Sequence, residues 1–252
     1  MTEFFSKLSL NLRRLARGQH KGINKLEKDY RFSYGDPDRG IFYSQCGQDK
    51  FVSDYLFPEV AGGVFVDVGA NDGVTFSNTY YLEKKLGWTG MCIEPNPRSF
   101  SAMVQTRSCF CENVCISENS GFVDFARVEG PGILDMYSGI LGTFGKKEIR
   151  RIKKNNGNIE VIRVPSVRLQ ELFRKHLLFH VNYLSVDTEG SEIQVLKSID
   201  FSETKIDVLS IENNKGNRDV RLFLEKKGFQ YHVTLGDLDD IYISKEMDEG
   251  LN

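Results

Sequence analysis

Four short apolar runs in this chain end beside acids. Asp67 closes the run that begins at Val64 and opens onto Gly69-Ala70-Asn71-Asp72-Gly73; Glu94 closes the run from Met91. Asp187 and Glu189 follow Val186, and Glu212 follows Ile211 and precedes Asn213 and Asn214. Glycines after an apolar run let a ligand approach the backbone closely. The dinucleotide fingerprint G-x-G-x-x-G would seat a pyrophosphate on a helix N-terminus, but the loop here reads G-A-N-D-G. Asp67 would repel a pyrophosphate and would favour a cation that carries an amino group. Glu94 stands about 20 residues after Gly73, where such sheets place the carboxylate that accepts ribose hydroxyls. A nucleoside joined to a positive centre describes S-adenosyl-L-methionine.

Methyl transfer from such a sulfonium is mainly a matter of positioning. The acceptor hydroxyl must also lose its proton, to a general base or with the help of a metal. Asp187, Glu189 and Glu212 are the catalytic candidates. Asp187, Glu212 and Asn213 offer hard oxygen donors suited to Mg²⁺ or another divalent cation. The competing reading is local: acids at strand ends are common, and Thr188 or Ser191 can cap a helix beginning near residue 192. His232 is a reserve base, with a packed or solvated ring as its plainer role.

The elements that position these groups alternate. Apolar runs at 64–68, 91–94, 110–116, 183–186 and 208–211 read as strands, with helical spacing at 77–86, 96–107, 168–176, 192–198 and 219–227. Runs at 230–233 and 241–243, joined by "TLGDLDD", suggest a hairpin. The expected fold is α/β: a Rossmann-like, doubly wound, mostly parallel seven-stranded sheet with a terminal antiparallel hairpin. Ligands in such sheets bind beyond the carboxyl ends of the strands, where all four acidic sites fall. Residues 44–252 read as one domain behind an N-terminal helical or leader segment, 1–43. An insertion at about 128–160 interrupts the rhythm as a lid would. Its Lys146, Lys147, Arg150, Arg151, Lys153 and Lys154, with Met136, Tyr137 and Phe144, suit an anionic, ring-bearing acceptor or a merely solvated face.

Composition narrows the class. The 252 residues carry a net charge of −2, which gives no electrostatic case for nucleic-acid binding. Five cysteines, odd in number and without paired CxxC spacing, suit reduced thiols in the cytoplasm. No run of about 18 apolar residues suggests a transmembrane helix. Residues 1–21 have basic amphipathic spacing, which allows a docking helix or weak peripheral membrane contact. A homo-oligomer is left open.

"FVDVGANDG", "GMCIEPNP", "YLSVDTEGSEIQVLK" and "VLSIENN" resemble the successive motifs of the FkbM-type class I methyltransferases; "SQCGQDKFV" and "SNTYYLEKKLGW" resemble stretches of one subgroup. The resemblance runs from about Ser44 to the C-terminus and implies a site residue by residue. Asp67, Gly69, Ala70, Asn71 and Gly73 would line the methionine end of the cofactor, and Glu94 would take the ribose hydroxyls. The Pro95-Asn96 turn would cover the adenosine, and Cys115 to Ser117, Ile116 included, would flank adenine. Gln45 and Gln48 would close over the cofactor, and Asp187 would stand by the methyl group. The family generally methylates hydroxyls on sugars, glycans or natural products. It often has Glu-His-Asn where this chain has Glu212-Asn213-Asn214, so an imidazole base is missing there and Asp187 or a metal gains weight. The acids after strands four and five also resemble the metal-binding set of catechol-type O-methyltransferases. A nicotinamide-dependent oxidoreductase and a non-catalytic cofactor-binding scaffold are the alternatives on the same sheet.

Overall fold

The computed structural model describes residues 41–213 and 218–246. The amphipathic segment 1–21, nearly all of the 1–43 leader and Asn214 lie outside the described residues. In chain order the strands are β1 (Val64–Val68), β2 (Thr89–Ile93), β3 (Phe110–Glu112), β4 (Cys115–Ile116), β5 (Gly121–Glu129) and β6 (Gly139–Ile140). Then come β7 (Asn158–Val167), β8 (His180–Val186), β9 (Lys205–Glu212), β10 (Phe229–Leu235) and β11 (Asp239–Ser244). Seven of them form one sheet in the order β10-β11-β9-β8-β1-β2-β3. Neighbours in it pair parallel except β11, which runs antiparallel to both β9 and β10. The expected α/β sheet with a terminal antiparallel hairpin is therefore present.

The central strands read as unbroken apolar runs because helices cover both faces. Phe65 and Tyr183 project into one buried cluster, with Phe51, Leu82 and Trp88; their neighbours Val66 and Leu184 project into the other, with Leu169, Val195 and Leu224. Each such side chain, fully buried, stabilises the fold by about 1.5–3 kcal/mol relative to exposure. Helix boundaries follow local chemistry. Asn96 caps the helix Pro97–Thr106 by accepting from Arg98 N at 3.1 Å, with Pro97 in the first turn. The helix Tyr80–Leu86 ends at Gly87, whose φ of 67° suits a residue without Cβ.

One expected strand divides. The run 110–116 supplies β3 to the main sheet, and past Asn113 the chain leaves that sheet to form β4, which pairs with β7. Asn113 Nδ2 donates to the Glu94 and Pro95 carbonyls at 2.8 and 3.3 Å, so this residue ties the exit of β2 instead of extending the ladder. The four strands β4-β7-β5-β6 make a second sheet. Within the 128–160 stretch lie a 3-10 turn at Leu134–Tyr137 and the helix Lys146–Lys154. Ile152 of that helix is buried with Val128 and Leu134, which fastens it to the second sheet. Among the described residues no helix is long and apolar enough to cross a membrane.

Candidate active site

A cavity of about 760 Å³ opens between the carboxyl ends of the main strands and the second sheet. That size is typical of small-molecule sites. Its floor begins at the close meeting of β1 and β8. Asp187 N donates to Val68 O at 3.0 Å, and Gly69 has φ 91° with a would-be Cβ only 1.8 Å from Asp187 O. Only glycine fits there. Gly69, Ala70 and Asn71 border the cavity, but Gly73 does not. Gly73 packs instead on the side chains of Met103 and Arg107, 2.9 Å from where a Cβ would stand.

Glu94 is buried and accepts Asn71 N (2.8 Å) on one oxygen and Asn96 N (2.7 Å) on the other. Each oxygen has a further lone pair to offer, and the residue borders the cavity. Burial pushes its carboxyl up to about 7, against the pull of those two N–H groups. Asp67 is also buried, accepts Thr79 Oγ1 at 2.6 Å, and is raised by desolvation with Arg107 opposing. Pro95, Cys115 and Ile116 border the cavity beside Ile93, Val114 and Phe125, an apolar slot. Asn96 is turned to its capping role and Ser117 to a separate shallow groove. Gln45 and Gln48 line the cavity. Gln48 Nε2 donates to Asp239 Oδ2 at 2.9 Å, while its own carbonyl oxygen accepts Cys46 N.

Asp187, Glu189 and Glu212 converge, with carboxylate oxygens within 4.8 Å of one another. Water reaches Asp187 through the open cleft, but the protein around it and the neighbouring Glu212 hold its carboxyl well above the usual range. Glu212 is raised too, by burial first and then by Glu189. Crowded carboxylates cannot all ionise cheaply, so this group retains a proton near neutrality. Asn213 borders the cavity, with its amide nitrogen donating to Asp240 Oδ2 at 2.7 Å. The expected cap from Thr188 or Ser191 is replaced by the reverse arrangement: Glu192 Oε1 accepts Gly190 N (2.8 Å) and Thr188 Oγ1 (2.9 Å). His232 is no candidate base. It packs on Phe51 and Tyr55 away from the cavity, and burial lowers it to about 4.

A family model described as the methyltransferase FkbM domain matches residues 67–231, well over half of the chain, including Asp67, Glu94, Asp187, Glu189 and Glu212. The chain belongs to the FkbM methyltransferase family. Among solved structures, this FkbM-family chain is similar to the FkbM methyltransferase of Methylobacillus flagellatus KT at 12% identity, over 72% of this chain and 43% of that one, with a TM-score of 0.46. It is similar to M. capricolum TrmK, solved with S-adenosylhomocysteine, at 11% identity over 73% and 63% with a TM-score of 0.37. A SAM-dependent methyltransferase from Aquifex aeolicus gives 14% identity over 87% and 96% with a TM-score of 0.36. The chain thus spans less than two thirds of the length of the first two. No curated protein matches it.

Three residues around the FkbM-family cavity escaped the sequence reading. Arg107 is buried beneath the first loop, pairs with Glu83, and donates to Gly73 O (3.0 Å), Ser77 Oγ (3.2 Å) and Thr79 Oγ1 (2.9 Å). It holds the loop and its run-on to the next helix as one piece. Asp239 lines the cavity and accepts Ser210 Oγ at 3.0 Å as well as Gln48. Asn78 donates to Ser185 Oγ at 3.0 Å, bridging the segment after the first loop to β8.

Proposed function

We propose that the protein is an S-adenosyl-L-methionine-dependent O-methyltransferase acting on a hydroxyl of a sugar, glycan or glycosylated natural product. The observation that carries this reading is that Asp187, Glu189 and Glu212 meet in the same cavity that Glu94 borders. The donor set fits the cofactor. Glu94 offers its remaining lone pairs to ribose hydroxyls, Gly69 to Asn71 border the cavity beside it, and Val114 to Ile116 offers an apolar slot for adenine. Bound there, the cofactor supplies an activated methyl group. Asp187, which abuts Gly69 and whose carboxyl burial and then Glu212 make more basic, takes the acceptor proton as general base. Gln48, held by Asp239, closes the cavity from the side of the segment that precedes β1.

A second reading of the same carboxylates is a divalent-cation site. Asp187, Glu189 and Glu212 supply clustered oxygen donors of the kind Mg²⁺ takes, with Asn213 beside them. Residues 44–252 form the catalytic domain in this reading, 128–160 its acceptor-side lid, and the five free cysteines suit the cytoplasm.

Calorimetric titration with S-adenosylhomocysteine and with NAD tests the cofactor class. Uptake of the former alone supports the proposal, and uptake of NAD alone would sink it. Turnover on a panel of sugar and glycan acceptors then separates an enzyme from a scaffold.

A further inference from the structure

The cavity is chemically lopsided. Its sheet side carries Asp67, Glu94, Asp187, Glu189 and Glu212, and Asp135 on the 3-10 turn of the insertion adds its charge on the Glu94 side, whereas the helix of the insertion presents Lys147 and Arg151. These two lie four residues apart on the helix Lys146–Lys154, so they share one face. The other basic residues of that helix do not border the cavity. Among the described residues, neither Lys147 nor Arg151 has a carboxylate within 4.0 Å, although Arg127 on β5, just before the insertion, is paired with both Glu129 and Glu160. Glu148, between them and also at the cavity, folds its carboxylate back against Gly145 at the helix start. Arg151 lies 4.5 Å over the ring of Tyr137, another lining residue. The insertion also touches the acidic cluster: Thr143 Oγ1 donates to Glu189 O at 3.3 Å.

Two cations without counterions among the described residues, facing the same cavity as Asp187, imply a ligand that brings the missing charge. A guanidinium fork and an ammonium together suit a phosphate dianion. The acidic floor would repel that phosphate, so the charge gradient fixes which end of the acceptor faces the methyl group. We infer that the acceptor is a phosphate-linked sugar, its phosphate held by Lys147 and Arg151 while a sugar hydroxyl reaches Asp187. This inference rests on the methyltransferase reading and names its substrate class.

The test is calorimetry on protein saturated with S-adenosylhomocysteine, titrated with glucose 1-phosphate, UDP-glucose, and a polyprenyl-phosphate sugar in detergent micelles. Binding of one of these phosphate-linked probes, with no uptake of glucose, is expected; which probe binds tells a soluble source from a lipid-linked one. Lys147→Ala and Arg151→Ala should each weaken that binding about tenfold and the double variant roughly a hundredfold, the scale of charge-assisted hydrogen bonds. The control pair Lys146→Ala/Lys153→Ala should leave it unchanged, and all variants should keep their affinity for S-adenosylhomocysteine. Protein that takes up S-adenosylhomocysteine but none of the phosphate probes, or a Lys147/Arg151 double variant that binds them as tightly as wild type, overturns the inference and leaves the methyltransferase reading standing. Failure to bind S-adenosylhomocysteine removes both.

Discussion

Glu94→Gln separates two effects that the Glu94 environment combines. The carboxylate accepts one backbone N–H on each oxygen, from Asn71 and from Asn96. A glutamine amide has a single acceptor oxygen, so its NH₂ must face one of those donors. One hydrogen bond is lost and a buried donor is stranded, which costs about 1–3 kcal/mol. The ribose acceptor is weakened at the same time, and S-adenosylhomocysteine affinity should fall about 10- to 100-fold. The pH dependence adds an independent signature. Burial raises the folded-state carboxyl from 4.5 to about 7, so its protonated form favours the fold. That contribution is fully present below pH 4.5, is lost as pH rises toward 7, and amounts to roughly 3 kcal/mol. Urea denaturation of the ligand-free protein between pH 4.5 and 7.5 should therefore show a wild-type loss of stability that the variant lacks. Cofactor affinity should rise with pH through about 7 in wild type only. Parallel stability curves, together with affinities within twofold, would refute the placement of Glu94 against the cofactor.

Asp187→Asn should leave S-adenosylhomocysteine binding within a few-fold and lower turnover about 10²- to 10⁴-fold, the usual contribution of a general base; unchanged turnover on a working acceptor removes Asp187 from the chemistry. Dialysis against EDTA should abolish activity, and Mg²⁺ restore it, if the carboxylate cluster holds a cation; full activity in EDTA ends the metal reading. Arg107→Met strands Glu83 and Asp67 and should cost about 3–5 kcal/mol in chemical denaturation, and a loss below 1 kcal/mol contradicts its role under the loop. His232→Leu removes a buried ring nitrogen that lacks a hydrogen-bond partner, so stability should be unchanged or higher and turnover intact; a collapse of turnover would restore it as a base.

The strands of the main sheet were legible because burial on both faces leaves unbroken apolar runs, and Glu94 and Asp187 were legible because each follows such a run. Asp239 was not. Sequence patterning puts a strand at 241–243 and a turn over the preceding acids, whereas β11 begins at Asp239, which pairs directly with Glu212. Three acids close behind a glycine look like a solvated turn until the partner strand is known. Arg107 was hidden for a similar reason: as the residue closing a helix it reads as a surface cation, and only the fold shows the loop resting on it. The division of 110–116 turned on the side-chain amide of Asn113, a long-range contact that periodicity does not register. His232 has the right residue type for a base but the wrong face of the sheet, and a one-residue change of face in a strand decides that.

The contact between Gly69 and the Asp187 carbonyl has a mechanical corollary. Under the proposed function, the backbone that would receive the methyl donor and the backbone that would carry the proton acceptor are tied by the Asp187 N–H to Val68 and abut without an intervening side chain. Any shift of one drags the other along. On that proposal, new acceptors would be accommodated by remodelling the insertion, while the distance between donor and base is inherited unchanged.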